Sequence, residues 1–302
     1  MKVQGVAAVV IGRNEGGRLA ACLVALRKQL EIIVYVDSGS SDDSVAIAHC
    51  HNVDVVELDR NAPFTAARAR NAGFDYLMQR VPSPQLVQFI DGDCEMRSCW
   101  LALATRYLKD HPQVAVVCGR CRERFPDASP YNRLCDLEWD TPVGEAASSG
   151  GNALMRAAAF SDNGGFDPAL IAGEEPDLCF RLRRNGWKIH RIEAEMVFHD
   201  AAMTRLSQWW KRSRRSGYAD MEASHRRGRE EPDLPRKVLS NFFWGQPLAW
   251  PLWPLLWIKV RARRGSLYAT HVVAGKVPHL LGQLSWWYAR LTKRAVSLIE
   301  YK

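Results

Sequence analysis

The sequence predicts an α/β protein whose mostly parallel sheet is flanked by helices on both faces. Through residues 1–120, short apolar runs alternate with segments whose apolar residues recur at helical spacing. This alternation is typical of parallel β–α–β units. Polar and acidic residues directly follow several of the apolar runs. Because the carboxyl ends of parallel strands meet at one edge of a sheet, these polar residues are expected to gather at a ligand-binding crevice.

Each element is predicted from one of two patterns of apolar residues, a short continuous run for a strand or recurrence at helical spacing for a helix. Apolar runs predict strands at residues 6–11, 32–36, 53–58, 86–90 and 114–118. Helices are predicted between them, from the helical recurrence of Leu19, Cys22, Leu23, Leu26 and Leu30 and at residues 43–49 and 63–79. Beyond residue 120 the pattern loosens. It predicts a loop entering a short strand at 150–155, a helix at 175–184, a strand at 187–192, a strand-like run at 195–198 and a basic helix at 204–227.

Length and composition allow one large α/β domain with an appendage. The chain has 302 residues, of which 47% are hydrophobic, so a substantial core can form. We predict a first domain over residues 1–203 and a carboxyl-terminal region over residues 204–302. The cysteines are expected to be reduced thiols, because the pair Cys118 and Cys121 is followed by no second close pair for a structural zinc site. The apolar run at residues 5–11 is short and leads into charged residues, so no signal peptide is expected.

Positive charge is concentrated in the carboxyl-terminal region. The net charge is +8, and arginines are dense over residues 205–229 and 259–264. Residues 242–258 between them are almost wholly apolar, but three prolines interrupt the run. Because those prolines would break backbone hydrogen bonds in lipid, we predict an in-plane or re-entrant membrane-associating segment rather than a spanning helix. The basic residues favour an anionic membrane surface or a phosphorylated ligand, and no recognition motif for nucleic acid is present.

Asp91-Gly92-Asp93 follows the predicted strand at residues 86–90. Two carboxylates one residue apart repel each other unless a cation or bound donors lie between them. A hard divalent ion with oxygen ligands, itself holding a diphosphate, suits this pair. The alternative is an ordinary Asp-Gly turn. The segments upstream and downstream therefore decide how the pair is interpreted.

Five different polar segments follow one another along the chain. They are residues 10–15, 37–44, 67–73, 91–93 and 173–183. As an ordered set they resemble the family 2 glycosyltransferases, and the resemblance extends over residues 5–200. It implies the GT-A fold, which has a Rossmann-like sheet, and an inverting, metal-dependent transfer from a nucleotide-sugar donor. Residues 208–212 do not match the motif of processive members, which argues against a processive polymerase.

Residues on the first three segments are candidates for holding the donor. Asp37 ends the second strand, where a carboxylate can accept the N3–H of a uracil or thymine ring, and the resemblance implies a contact to the base. The alternative is a helix-capping role for this Asp/Ser cluster. The resemblance implies a nucleoside contact for Arg13 and Glu15, while Glu15 could instead complement a helix dipole. Arg70 lies within possible reach of the diphosphate, and its neighbour Arg68 is the competing choice.

The fourth segment and a later histidine are the candidate metal ligands. The resemblance implies that Asp93 ligates Mg²⁺ or Mn²⁺, while Asp91 holds the ribose or a metal-bound water. His199 lies beyond the acidic motif at a distance where several family members place a metal or diphosphate contact. Neutral imidazole is a competent ligand, but a lone histidine is more often structural.

The fifth segment supplies the candidate catalytic base. An inverting displacement needs one base to take the acceptor hydroxyl proton. The family places it in an acidic pair, usually Glu-Asp, whereas the second member here is Glu175. We predict Glu175 as the base and Asp177 as the second candidate. Acidic residues at a helix start also complement its dipole, and Asp177 has Arg181 four residues on as a structural partner.

Together these observations predict a transferase acting on the cytoplasmic face of the inner membrane. The donor is expected to be a nucleotide-sugar, preferably UDP-linked, and the acceptor a lipid-linked or polysaccharide chain of the cell envelope. The acceptor and the membrane rest on the basic, aromatic carboxyl-terminal region rather than on the catalytic motifs. Two alternatives are a nucleotidyltransferase and a membrane-surface scaffold that has the same fold without activity.

Overall fold

The computed structural model describes residues 2–80 and 83–292. Its strands are β1 (Val6–Gly12), β2 (Ile32–Asp37), β3 (Asp54–Glu57), β4 (Leu86–Asp91), β5 (Cys94–Met96), β6 (Val114–Glu123), β7 (Gly144–Glu145), β8 (Ala153–Arg156) and β9 (Lys188–His199). Its α-helices are α1 (Gly17–Arg27), α2 (Ser44–Cys50), α3 (Ala66–Met78), α4 (Trp100–Asp110), α5 (Pro130–Glu138), α6 (Ala157–Asp162), α7 (Glu174–Arg184), α8 (Leu206–Arg227), α9 (Asp233–Gly245), α10 (Trp253–Ala274) and α11 (Lys276–Thr292). Short 3₁₀ turns cover Pro126–Ala128 and Pro247–Leu252.

The amino-terminal half of the sheet is parallel, as the alternating pattern predicts. The strand order there is β3-β2-β1-β4, and β1 pairs in parallel with both of its neighbours. Gly12 at the end of β1 is in register with Asp37, and Ile11 is in register with Asp91. The two aspartates therefore end the strands on either side of β1, at one edge of the sheet.

The other half of the sheet is mixed. Strand β8 pairs antiparallel with β4 and β6, while β9 runs parallel to β6 and antiparallel to β5 and β7. The predicted strand at residues 114–118 extends to Glu123, and the runs at 187–192 and 195–198 form one strand. The β6–β9 pairing contains register shifts around Gly119, and such bulges interrupt the apolar alternation by which a strand is recognised. Strand β5 and helix α4 are absent from the sequence prediction.

Helix α3 packs directly on the parallel strands through Gly73. A Cβ atom at this position would lie 2.5 Å from Cγ1 of Val9 and 2.9 Å from Cγ2 of Val36. Only a glycine permits so close an approach of helix and sheet. The approach places Arg70, one helical turn earlier, at the edge where the strands end.

The chain forms two compact units. The first comprises residues 1–124, 139–170 and 174–201, and the second comprises residues 125–138, 171–173 and 202–302. The sequence-based division at residue 203 assigns residues 125–138 and 171–173 to the first domain. In the structure these two segments belong to the second unit.

Specific contacts hold the two short segments in the second unit. Arg212 of α8 donates to Glu138 at 2.6 Å, and Arg215 donates to the carbonyl of Ile171 at 2.7 Å. His271 Nε2 also lies 2.7 Å from Glu138, and its Nδ1 accepts from the indole of Trp209 at 2.7 Å. Although burial opposes the charged form, the hydrogen bond from His271 and the charge of Arg212 lower the pKa of Glu138 to about 2.

Among the described residues, no helix combines the length and apolarity needed to cross a bilayer.

Candidate active site

The Asp37 carboxylate organises the loop that follows β2. It accepts hydrogen bonds from the Tyr35 hydroxyl at 2.9 Å, from the amide of Gly39 at 2.9 Å, and from the amide and hydroxyl of Ser40 at 2.8 and 2.5 Å. Four donors fill the lone-pair sites of a carboxylate. In the structure Asp37 therefore shapes the turn, and a contact to a nucleobase would replace one of these bonds.

The loop after β1 is tied to the loop after β2. The hydroxyl of Ser44 accepts from the amides of Glu15 and Gly16 at 3.0 and 3.1 Å. Glu15 is buried and forms an ion pair with Arg18 at 2.7 Å, three residues on in α1. Arg13 lies over the ring of Phe64, 5.6 Å from its centroid. The two predicted nucleoside contacts thus lie on a loop that is hydrogen-bonded to the segment following Asp37.

Arg70 is the hub of the site. Its guanidinium is 3% exposed and donates to Asp91 Oδ1 at 2.9 Å, to Glu174 Oε1 at 2.9 Å and to Glu175 Oε1 at 3.1 Å. Burial lowers the pKa of a guanidinium, but the three carboxylates more than offset this and raise the pKa of Arg70 above its usual value. Arg68 instead donates to the backbone carbonyls of residues 59, 62 and 63. Only the tertiary structure distinguishes these two arginines.

The two carboxylates of the acidic helix that were proposed as catalytic have different surroundings. Burial and the adjacent Glu174 raise the pKa of Glu175 to about 7, against the opposing charge of Arg70. Asp177 is paired with Arg181 at 3.0 Å, and Arg181 also donates to the carbonyls of Asn163 and Gly165. Asp177 therefore holds the segment before α7, whereas Glu175 lies beside Arg70 and Asp91.

Asp93, two residues after Asp91, contacts His199. The Asp93 side chain is fully buried, and its Oδ2 lies 3.1 Å from Nε2 of His199. Trp139 stacks on the imidazole with ring centroids 4.6 Å apart. Burial disfavours the imidazolium, but the Asp93 carboxylate raises the pKa of His199 well above its usual value.

The donor set at this position suits a divalent cation. Asp93, Cys94 and His199 each offer one ligand atom, and these atoms lie within 4.8 Å of one another. A bound cation would take the place of the proton that Asp93 and His199 share, because it is attracted by the same two lone pairs. Asp91, two residues from Asp93, accepts a hydrogen bond from Arg70 Nη2 through Oδ1.

Three contributors to the site were missed by the sequence reasoning: Cys94, Trp139 and Asn152. Asn152 Oδ1 accepts from the amide of Asp91 at 3.0 Å, and its Nδ2 donates to Cys94 Sγ at 3.4 Å. The preceding Gly151 lies against the hub, since a Cβ there would be 2.5 Å from Arg70 Nη2. The Gly-Gly-Asn sequence predicts a loop entering a short strand, but nothing local indicates which residues this loop contacts.

The family of the chain is decided by its amino-terminal half. Residues 8–161 match the family model described as glycosyl transferase family 2. The chain belongs to glycosyl transferase family 2. The pre-mycofactocin glycosyltransferase of Mycobacterium tuberculosis strain H37Rv is 30% identical over 220 residues, which cover 68% of this chain and 44% of that protein. The chain therefore spans less than half the length of this curated relative.

Solved structures share the GT-A fold of this family 2 chain. The mannosyltransferase PcManGT from Pyrobaculum calidifontis, in complex with GDP-Man and Mn²⁺, aligns with a TM-score of 0.57 at 19% identity, covering 96% of this chain and 86% of that chain. S. aureus TarS 1–349 aligns with a TM-score of 0.54 at 15% identity, covering 96% and 92%. At these identities the likeness establishes the fold.

Membership of family 2 confirms the family and the GT-A fold that the sequence predicts. The GT-A fold places the predicted site residues at the carboxyl edge of the parallel strands, where open α/β sheets bind ligands. Arg70, Asp91 and Glu175 are brought into one cluster, and Asp93 and His199 into another beside it.

Proposed function

We propose that the protein is an inverting glycosyltransferase that uses a nucleotide-sugar, preferably UDP-linked, and requires Mg²⁺ or Mn²⁺. The observation that carries the proposal is the Arg70 hub. It joins Asp91, beside the candidate cation ligands, to Glu175, a carboxylate whose pKa lies near neutrality. We therefore expect the nucleotide-sugar and the base Glu175 to lie at the same edge of the sheet. The complex of PcManGT with GDP-Man and Mn²⁺ supports this type of donor.

Each residue of the site has a distinct proposed role. Asp93 and His199 would hold the cation with Asp91, and a divalent ion held there would supply charge neutralisation for the leaving diphosphate. Glu175 accepts the proton of the acceptor hydroxyl, and Arg70 fixes the orientation of that carboxylate. No covalent nucleophile is required, because a single displacement inverts the anomeric carbon. Arg13, Glu15 and Asp37 form the wall against which the nucleoside is expected to lie.

Release of nucleoside diphosphate tests the proposal. The protein would be incubated with a panel of UDP-, GDP- and dTDP-sugars, with and without Mn²⁺. We expect Mn²⁺-dependent release of the diphosphate from at least one donor. Measurable donor binding without release from any donor, in the presence of candidate acceptors, would support the inactive scaffold instead.

Replacing Asp93 should uncouple donor binding from the metal. In Asp93→Asn the buried carboxylate that faces His199 loses its charge. Replacing a residue that only hydrogen-bonds to a metal ligand already lowers metal affinity by about 10- to 100-fold, and loss of a ligand itself should cost at least as much. We expect Mn²⁺-dependent donor affinity, measured by calorimetry, to fall by at least about 100-fold. Asp200→Asn, with a carboxylate next to His199 in the chain, is the control. Unchanged Mn²⁺ dependence in Asp93→Asn would remove the proposed site.

The rate should depend on pH through Glu175. Its pKa is raised to about 7, and below this value the carboxyl is protonated and accepts no further proton. We therefore expect kcat/KM to rise with pH up to about 7, roughly tenfold per pH unit on the acidic side, and then to level off. The same acidic limb in Glu175→Gln would show that another group is responsible.

The proposal includes a lipid-linked or polysaccharide acceptor at the cytoplasmic face of the inner membrane. It is supported by apolar side chains that face solvent on the 3₁₀ turn Pro247–Leu252 and on α10. Leu248, Leu255 and Ile258 are 88%, 65% and 59% exposed. Leu255 and Ile258 are three residues apart, so they share one helix face. Lys259 and Arg261 follow directly on the same helix. Such a pairing of apolar and basic groups matches an anionic bilayer surface.

Flotation with vesicles tests the membrane association. Full-length protein should bind vesicles containing anionic lipid, and binding should weaken as salt is raised. A variant with serine at Leu248, Leu255 and Ile258 should bind at least about tenfold less, since each lost side chain removes roughly 1.5–3 kcal/mol of apolar burial at most. Leu103→Ser, an exposed leucine of α4, is the matched control. Equal binding by the triple variant would contradict this part of the proposal.

A further inference from the structure

The group of candidate metal ligands, Asp93, Cys94 and His199, includes a thiol that donor binding does not require. Cys94 opens β5, and in the antiparallel pairing with β9 it stands directly opposite His199. Directly opposed residues of antiparallel strands project their side chains on the same face, with Cβ atoms about 4.5–5.5 Å apart. The strand register therefore places a sulfur beside the imidazole, and Asp93 is the residue before it.

The distances within this trio fit a small tetrahedral ion. Asp93 Oδ2 lies 3.1 Å from His199 Nε2, and Asp93 Oδ1 lies 3.6 Å from Cys94 Sγ. In a tetrahedral zinc site, bonds of about 2.0–2.1 Å to nitrogen and oxygen and about 2.3 Å to sulfur give ligand separations of roughly 3.3–3.6 Å. One ligand atom from each of the three residues lies within 4.8 Å of the others, so small side-chain movements would bring them to this spacing.

The surroundings hold the thiol in place for coordination. Cys94 is 1% exposed, and Asn152 Nδ2 donates to its sulfur at 3.4 Å. The same Asn152 accepts from the amide of Asp91. Trp139 covers the imidazole of His199. The fourth corner is left for a substrate oxygen or water, as in zinc sites that keep an open position.

We propose that Asp93, Cys94 and His199 form a thiolate-containing site that takes Zn²⁺ or Cd²⁺ in competition with Mg²⁺ and Mn²⁺. Soft thiolate ligands favour these ions, whereas hard cations gain little from sulfur. On binding, the S–H bond of Cys94 breaks as the sulfur–metal bond forms, and the proton passes to solvent without electron transfer. The inference rests on the proposed function, because it takes Asp93 and His199 as the ligands of the donor-side cation.

Metal titrations of the full chain test the proposal. The background carries Cys50→Ser and Cys99→Ser, which removes two exposed thiols. Co²⁺ added to this protein should produce a thiolate-to-metal charge-transfer band, and Cys94→Ser should abolish it. Zn²⁺ affinity should fall by at least about tenfold in Cys94→Ser, and by a larger factor than Mn²⁺ affinity, because thiolate favours the softer ion. Cys121→Ser, whose sulfur lies 4.0 Å from the other ring nitrogen of His199, is the matched control and should keep the band.

Two measurements keep the test decisive. The ¹¹³Cd resonance of the background protein reports sulfur ligation without any change at Cys94, so it holds even if Cys94→Ser does not fold. A resonance typical of oxygen and nitrogen ligands alone, or a Co²⁺ band that persists in folded Cys94→Ser, would overturn the proposal. Mn²⁺-dependent donor binding is measured on the same samples. Its absence would count against the proposed function, whereas its presence without sulfur ligation would count against the thiolate site alone.

Discussion

Glu175→Gln is expected to bind donor normally and to lose turnover. The glutamine keeps an oxygen that accepts from Arg70, which now reaches Glu175 Oε1 at 3.1 Å, so the local packing is retained. It cannot accept the proton of the acceptor hydroxyl. Loss of a general base costs about 10²- to 10⁴-fold in rate, and kcat should fall in this range with little change in donor affinity. Steady-state kinetics and donor calorimetry on the same preparation measure both quantities.

Two neighbouring variants control for this result. Asp177→Asn removes a carboxylate of the same helix that is paired with Arg181, and Glu174→Gln removes the second carboxylate of this helix that Arg70 binds. Asp177→Asn is expected to lower stability while the folded fraction keeps its turnover. If Asp177→Asn instead loses turnover with donor affinity unchanged, Asp177 is the base and the assignment to Glu175 is wrong.

Arg70→Met should have the largest effect on stability. The methionine fills much of the volume, but it leaves Asp91, Glu174 and Glu175 without the cation they share. Removing one partner of a buried ion pair costs about 3–5 kcal/mol, because the remaining charge is uncompensated. We expect the free energy of unfolding to fall by about this amount at pH 7. Chemical denaturation with urea measures it.

The pH dependence of Arg70→Met follows from the same contacts. The charge of Arg70 opposes the upward shift in the pKa of Glu175, so removing the guanidinium should raise that pKa further above its unfolded value. Groups shifted in this direction contribute stability at low pH and lose it as pH rises, so the deficit should shrink on acidification. Arg68→Met is the matched control, since Arg68 lies two residues earlier on α3 and donates to backbone carbonyls. An equal loss of unfolding free energy in Arg70→Met and Arg68→Met would contradict the central role of Arg70.

Much of the fold was predictable because its signals are local. The strands at residues 6–11, 32–36 and 86–90 are nearly continuous apolar runs, as expected for parallel strands that are buried on both faces. Helix α3 showed small residues on its packing face. In contrast, β5 has only three residues, which are too few to show a periodic pattern. Helix α4 was missed although its eleven residues bury Trp100, Leu101, Ala104 and Leu108, which recur at helical spacing.

The candidate site was predictable to the extent that its residues end parallel strands. Asp37 and Asp91 were placed correctly at one edge because the carboxyl ends of parallel strands meet there. The choice between Arg68 and Arg70 was left open, since both lie on one short helix. Glu15 and Asp177 proved to have helix-neighbour partners in Arg18 and Arg181.

The sequence by itself determined the fold class, the family and the edge of the sheet at which the polar residues gather. These depend on periodicity and on the order of short motifs, both of which are local. The tertiary structure alone decided that Arg70 joins Asp91 to Glu175 and that Cys94 faces His199. These pairs are 21, 105 and 105 residues apart in the chain. Their contacts depend on strand register and helix packing, which arise only when the core closes and fixes one arrangement.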